Sequence, residues 1–113
     1  MGKTYKVLWT SGAREDLLRI IAYIKEDSPA IAKEVYQKIK AKAASNNLFP
    51  LRGRVVPELQ KEGITIYREL VTPPWRIIYK IDNDTVYIMA LFDSRQNVEE
   101  ILLQKLIGGA PTK

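Results

Sequence analysis

The sequence predicts one α+β domain whose elements run β-α-α-β-β-β-α, an antiparallel sheet with an N-terminal helical hairpin packed on one face. Three observations predict it. Apolar residues recur at helical spacing over 13–43, the period switches to two over 64–92, and 113 residues leave room for one core. The expected domain spans 1–109, followed by a frayed tail over 110–113.

Tyr5, Val7 and Trp9 alternate with Lys6 and Leu8 as a first strand. Ser11 offers an N-cap oxygen, and Ala13, Leu17, Ile20, Ile21 and Ile24 follow at the helix period, with Arg14, Glu15, Arg19 and Lys25 opposite. Ser28-Pro29 starts a second helix carrying Ala32, Val35, Tyr36, Ile39 and Ala43. So short a connection forces an antiparallel hairpin, packed through Leu17, Ile21, Ile24, Val35 and Ile39. Asn46-Asn47 ends it, and 48–57, with Pro50, Gly53 and Pro57, reads as a loop. Alternation then runs over 64–71, 75–81 and 86–92, broken by Pro73-Pro74 and Asp82-Asn83-Asp84, which gives a three-strand meander. Asn97 and Glu100 resemble a capping pair before a short helix with Val98, Ile101, Leu102 and Leu106, stopped at Gly108-Gly109. The sheet face away from the hairpin is expected to be free, displaying Tyr67, Arg76, Ile78 and Lys80.

Composition excludes more than it identifies. With 46% hydrophobic and 27% charged residues the chain is an ordinary folded protein. The absence of Cys and His removes disulfides, Cys/His zinc sites, thiol nucleophiles and histidine acid-base chemistry. No apolar run approaches the roughly 20 residues that cross a bilayer, so no membrane partner and a cytoplasmic location are expected. A net charge of +5 admits an anionic partner.

Lysines crowd the helical hairpin, where a solvated face explains them, whereas Arg52, Arg54, Arg68, Arg76 and Arg95 fall in the loop and sheet. The planar guanidinium fork suits phosphate or carboxylate, which makes these arginines the candidate site, with pairing to Glu58, Glu62 or Glu69 as the structural alternative. Glu15-Asp16, Glu26-Asp27 and Glu99-Glu100 are adjacent pairs that cannot converge on one ion, so no metal is expected. No glycine loop grips a phosphate and no cofactor is expected.

The segments Ala13-x-x-Asp16-Leu17-x-x-Ile20-x-x-Tyr23-Ile24, Gly53-Arg54, Tyr67-Arg68-Glu69-Leu70, Trp75-Arg76-Ile77-Ile78-Tyr79 and Phe92-Asp93-Ser94-Arg95-Gln96 together resemble the RelE/ParE toxins of type II toxin-antitoxin systems, the plasmid-stabilisation type. The resemblance implies the same β-α-α-β-β-β core and neutralisation by a cognate antitoxin. RelE-like members cut mRNA on the ribosome without metal, and ParE-like members poison DNA gyrase by protein contact. The resemblance matches Arg76 and Arg95 to functional arginines of the nucleases, Arg68 to a functional lysine and Glu58 to a glutamate of one subgroup; if the chain is a nuclease, the expected roles are Arg76 and Arg95 on transition-state charge, Arg54 and Arg68 on phosphate, and Glu58 or Lys61 on proton transfer. Leu70 and Ile101 stand where the nuclease pattern has a lysine and a tyrosine, which favours gyrase as target over ribosome and mRNA. Arg54, Lys61, Tyr67 and Lys80 are the expected substrate or partner contacts, with the antitoxin lying across Arg54, Arg68 and Arg76.

Overall fold

The computed structural model describes residues 3–96 and 98–108, including the backbone but not the side chains of 98, 107 and 108. Strand β1 (Lys6–Trp9) leads into helix α1 (Ser11–Lys25), and α2 (Pro29–Ala44) follows. The cap of α1 is Thr10, one residue earlier than expected. Its side chain accepts from the Ala13 N–H at 3.2 Å, which leaves Ser11 as the first helical residue. Ser28 caps α2 as expected, accepting from the Ile31 N–H at 3.2 Å, with Pro29 where its missing N–H costs nothing.

The stretch expected to be a loop carries more structure. Two 3-10 turns (Ser45–Asn47 and Pro50–Arg52) precede a two-residue strand β2 (Arg54–Val55) and a one-turn helix α3 (Pro57–Gln60). Pro57 starts that helix for the same reason that Pro29 starts α2. Strand β3 is Tyr67–Thr72, beginning later than the alternation suggests, because the Ile64 N–H bonds back to the Leu59 carbonyl and closes α3. Strands β4 (Trp75–Asp82) and β5 (Thr85–Asp93) complete the meander. The β4–β5 turn holds Asn83 at φ 57°, a left-handed position that Asn tolerates. Helix α4 (Val98–Leu102) continues as a π turn (Leu103–Gly108). The expected Asn97 cap, Gly109 of the expected stop and the expected tail over 110–113 lie outside the described residues.

The sheet order is β1-β5-β4-β3-β2, with β1 parallel to β5 and the other pairs antiparallel. One face carries Leu70, Ile77, Tyr79, Val86, Ile88 and Leu91 against Ala13, Leu17, Ile39 and Ala43 of the helical hairpin. Burying side chains such as Leu17 and Ile39 stabilises by about 1.5–3 kcal/mol each. Ile21 and Val35 pack at the edge of this core, half-buried.

The second face is not free. Val56 and Leu59, from the α3 turn, and Leu102 of α4 cover Tyr67, Ile78, Ala90 and Phe92 in a second core. Residues that the sequence offered as an open surface, Tyr67, Arg76 and Ile78, are therefore buried, and only Lys80 stays half-exposed. The one-turn α3 is too short to announce itself by periodicity, and the C-terminal helix, which the sequence does predict, carries no mark of the face it covers.

Candidate functional site

Under α3, four charged side chains from three strands and a helix form one ionic chain. Strand alternation and register put Glu69, Arg76 and Arg54 on the second face: Arg54 lies opposite Glu69 across β2–β3, and Arg76 sits on β4 two positions from Ile78, the residue opposite Glu69. The Arg76 Nε donates to Glu69 Oε1 at 2.6 Å. Its Nη1 and Nη2 donate to the two oxygens of Glu58 at 2.7 Å each, a bidentate fork. Glu69, with no side-chain exposure, also accepts from the Nε of the largely exposed Arg54.

This pairing sets the protonation states. The bonded Arg76 guanidinium holds the Glu58 carboxyl below its ordinary value. The same Glu58 bond, with help from Glu69, pushes Arg76 further up despite its burial. Glu58 is thus a weaker base than a free carboxylate, and both its oxygens are occupied. Each of the three Arg76 guanidinium nitrogens donates to a carboxylate.

The other expected site residues lie elsewhere. Arg68 projects from the opposite side of β3 to Glu69 and donates to the Gly53 carbonyl at 2.7 Å. Arg95 is exposed beyond β5, where it donates to Asp93; that bond lowers Asp93 and raises Arg95. Lys61 pairs with Glu99 at 2.9 Å, tying α3 to α4 and raising the ammonium. Tyr67 is a core residue whose hydroxyl is pushed up by burial. Lys80 borders a recess of about 240 Å³ with Thr10, Asp82, Tyr87 and Met89. Arg68, Arg76 and Arg95 therefore do not converge, and Arg54, Glu58 and Arg76 do.

Asp16 is the residue that sequence reasoning passed over. Buried at 3% exposure, it accepts from the Leu91 N–H at 3.1 Å, from Arg19 at 3.2 Å and from the Lys105 ammonium. Its place three after Ala13 and four before Ile20, on the apolar stripe of α1, is the signal that marks it. It lies at a recess of about 280 Å³ with Ile101 and Lys105. Next to it, sharing Arg19 and Ile20, opens an apolar cleft of about 440 Å³ formed by Tyr23, Ile24, Trp75, Asp93 and Arg95. Such a cleft can seat a side chain of a partner and offer its rim arginines to a carboxylate.

Among the described residues, no helix is long and apolar enough to cross a membrane. The family model described as the ParE toxin of the type II toxin-antitoxin system parDE matches residues 7–98. The chain is 31% identical over 86 residues to Toxin RelE2 of Caulobacter vibrioides, covering 76% of this chain and 91% of that one. Its fold matches a chain of the chromosomal ParDE system of P. aeruginosa at TM-score 0.65 and 18% identity, over 80% of this chain and 96% of that one. It also matches a chain of the RelBE2 toxin-antitoxin complex of Mycobacterium tuberculosis at TM-score 0.53 and 24% identity, over 80% and 92%. With its sequence, its five-stranded sheet and its helical hairpin in agreement, the chain belongs to the ParE toxin family of type II toxin-antitoxin systems, within the RelE/ParE superfamily.

Proposed function

We propose that this toxin acts by protein contact on DNA gyrase in the cytoplasm, and that a cognate antitoxin restrains it. The observation that carries the reading is the pairing of Arg76 with two carboxylates. Metal-free RNA cleavage needs a base to take the 2′-hydroxyl proton and free cations to stabilise the phosphorane. Here the carboxylate expected to act as base, Glu58, is depressed and doubly bonded, and the guanidinium beside it is already neutralised by Glu58 and Glu69. Arg68 and Arg95 lie on other parts of the surface and do not converge with Arg76 and Glu58. A contact poison requires no such constellation. For the antitoxin, the concave cleft between Tyr23 and Trp75 is a better seat than the expected Arg54–Arg68–Arg76 strip, because one of those arginines is buried.

The test is a gyrase cleavage-complex assay on plasmid DNA beside primer extension on messages bound to translating ribosomes. Wild-type protein should accumulate covalent gyrase–DNA adducts and leave ribosome-bound message intact. Cleavage of message at the ribosomal A site, with no gyrase adducts, would overturn the reading in favour of the nuclease.

A further inference from the structure

The turn between α2 and β2 exposes large apolar side chains on a backbone that is held rigid. Leu48, Phe49 and Leu51 are 49%, 64% and 67% exposed, in a protein whose other aromatic and aliphatic residues mostly pack into two cores. Their loop is not slack. The buried Tyr79 hydroxyl donates to the Pro50 carbonyl at 2.5 Å and accepts from the Gly53 N–H at 3.1 Å. Arg68 anchors the Gly53 carbonyl, the Arg52 N–H bonds the Phe49 carbonyl at 3.1 Å, and Arg52 reaches Ser45. Pro50, between the exposed residues, is itself buried. Anchors on a pre-ordered loop lose little conformational entropy on association, which is how interface hot spots achieve their energy.

We infer that this loop, with Phe49 and Leu51 as its anchors and Arg52 and Arg54 beside them, is the surface by which the toxin docks on a folded protein target that presents an apolar recess rimmed by carboxylates. Two observations choose the occupant. The arginines put positive charge at the edge of the patch: Arg52 faces solvent and bonds Ser45, and Arg54 is 63% exposed while the carboxylate it bonds, Glu69, is buried and shared with Arg76. The apolar groups project outward, so they suit a recess in the partner, which a folded protein presents before binding and a flexible segment could form only at the cost of ordering around them. A flexible segment suits the concave Tyr23–Trp75 cleft instead.

The inference rests on the contact-poison reading, so the experiment separates the two. Phe49→Ser/Leu51→Ser is compared with wild type and with Leu18→Ser, a control that removes an apolar side chain 57% exposed on α1. Growth arrest on expression is read without reference to target, and gyrase–DNA adducts are read in vitro with purified gyrase. The loop variant should keep the wild-type melting temperature and lose at least about tenfold in both readouts, with Leu18→Ser unchanged; about tenfold corresponds to 1.4 kcal/mol of lost contact. Arg52→Glu should weaken gyrase binding and flatten its salt dependence. Arrest and adducts equal to wild type in the loop variant would overturn the inference and leave the gyrase reading standing. Arrest without adducts in wild type would remove gyrase, and the loop would then stand or fall on whether its variant still arrests growth. A wild-type dimer that the loop variant dissolves, or equal losses in Leu18→Ser, would also overturn it.

Discussion

Tyr79 joins segments separated by 26 and 29 positions in the chain, and the geometry around its hydroxyl explains a glycine. A Cβ on Gly53 would stand 2.3 Å from that oxygen and 2.5 Å from the Glu69 carbonyl oxygen, a backbone atom that cannot swing away. The Gly53-Arg54 pair thus reads as close approach followed by an ion-pair partner. Burial raises the Tyr79 hydroxyl, so it remains a donor across the neutral range. Tyr79→Phe should leave the Pro50 carbonyl and Gly53 N–H without that partner and cost about 1–3 kcal/mol. Gly53→Ala should cost at least as much through overpacking. Thermal unfolding checks both, and an unchanged melting temperature for Gly53→Ala would show that the loop accommodates the methyl. Glu58 gives a pH-dependent counterpart. Because Arg76 holds its folded-state value below the ordinary 4.5, its stabilisation is complete above that pH and is lost as pH falls through the depressed value. Glu58→Gln should therefore be less stable than wild type at neutral pH, with the difference shrinking in acid. A constant difference down to about pH 2 would show that the carboxylate's charge contributes nothing.

The helices and the meander were legible because each is long enough for its period to repeat. Leu17 and Ile39 are core residues as their spacing predicts. The covering of the second face was not, since α3 has four residues, too few for a period, and the spacing of α4 does not say which face it packs on. Nor does any periodicity state that β1 pairs parallel with β5, a contact made across the whole chain. What fastens the C-terminal turn is likewise a long-range event, the Lys105 ammonium on Asp16, 89 residues away. Asp16 sits at 5% side-chain exposure and Lys105 at 30%, so the pair is only partly screened by solvent. Lys105→Met should cost about 1–3 kcal/mol, less than a fully buried pair because Arg19 and the Leu91 N–H still serve the carboxylate. Hydrogen exchange should then show loss of protection confined to α4 and the turn after it. Uniform loss across the sheet would mean that the clasp supports the whole fold rather than its last element.

For the molecule as a whole, residue types announced an anionic partner and the fold decided which cations remain available to one. Arg68 and Arg76 look alike in the sequence, eight positions apart on neighbouring strands, yet alternation sends them to opposite faces and Arg76 into a pair of carboxylates. The candidate site was thus legible as a set of arginines but not as a geometry, because pairing is settled by face and register. With Arg76 neutralised, the electrostatic attraction for an antitoxin falls to exposed groups such as Arg19 and Arg95 at the rim of the Tyr23–Trp75 cleft. Each already has a carboxylate neighbour, so the steering comes from the net +5 of the chain more than from any one pair. Antitoxin binding should then weaken by about tenfold or more as salt rises from about 50 to about 500 mM, through the association rate rather than the dissociation rate. Tyr23→Ser should act oppositely, raising the dissociation rate and leaving the salt slope intact, because it removes an apolar contact and no charge. Stopped-flow or surface-capture kinetics on the toxin with its antitoxin checks both. A Tyr23→Ser variant with wild-type dissociation would show that the antitoxin does not occupy the cleft, whatever the salt dependence.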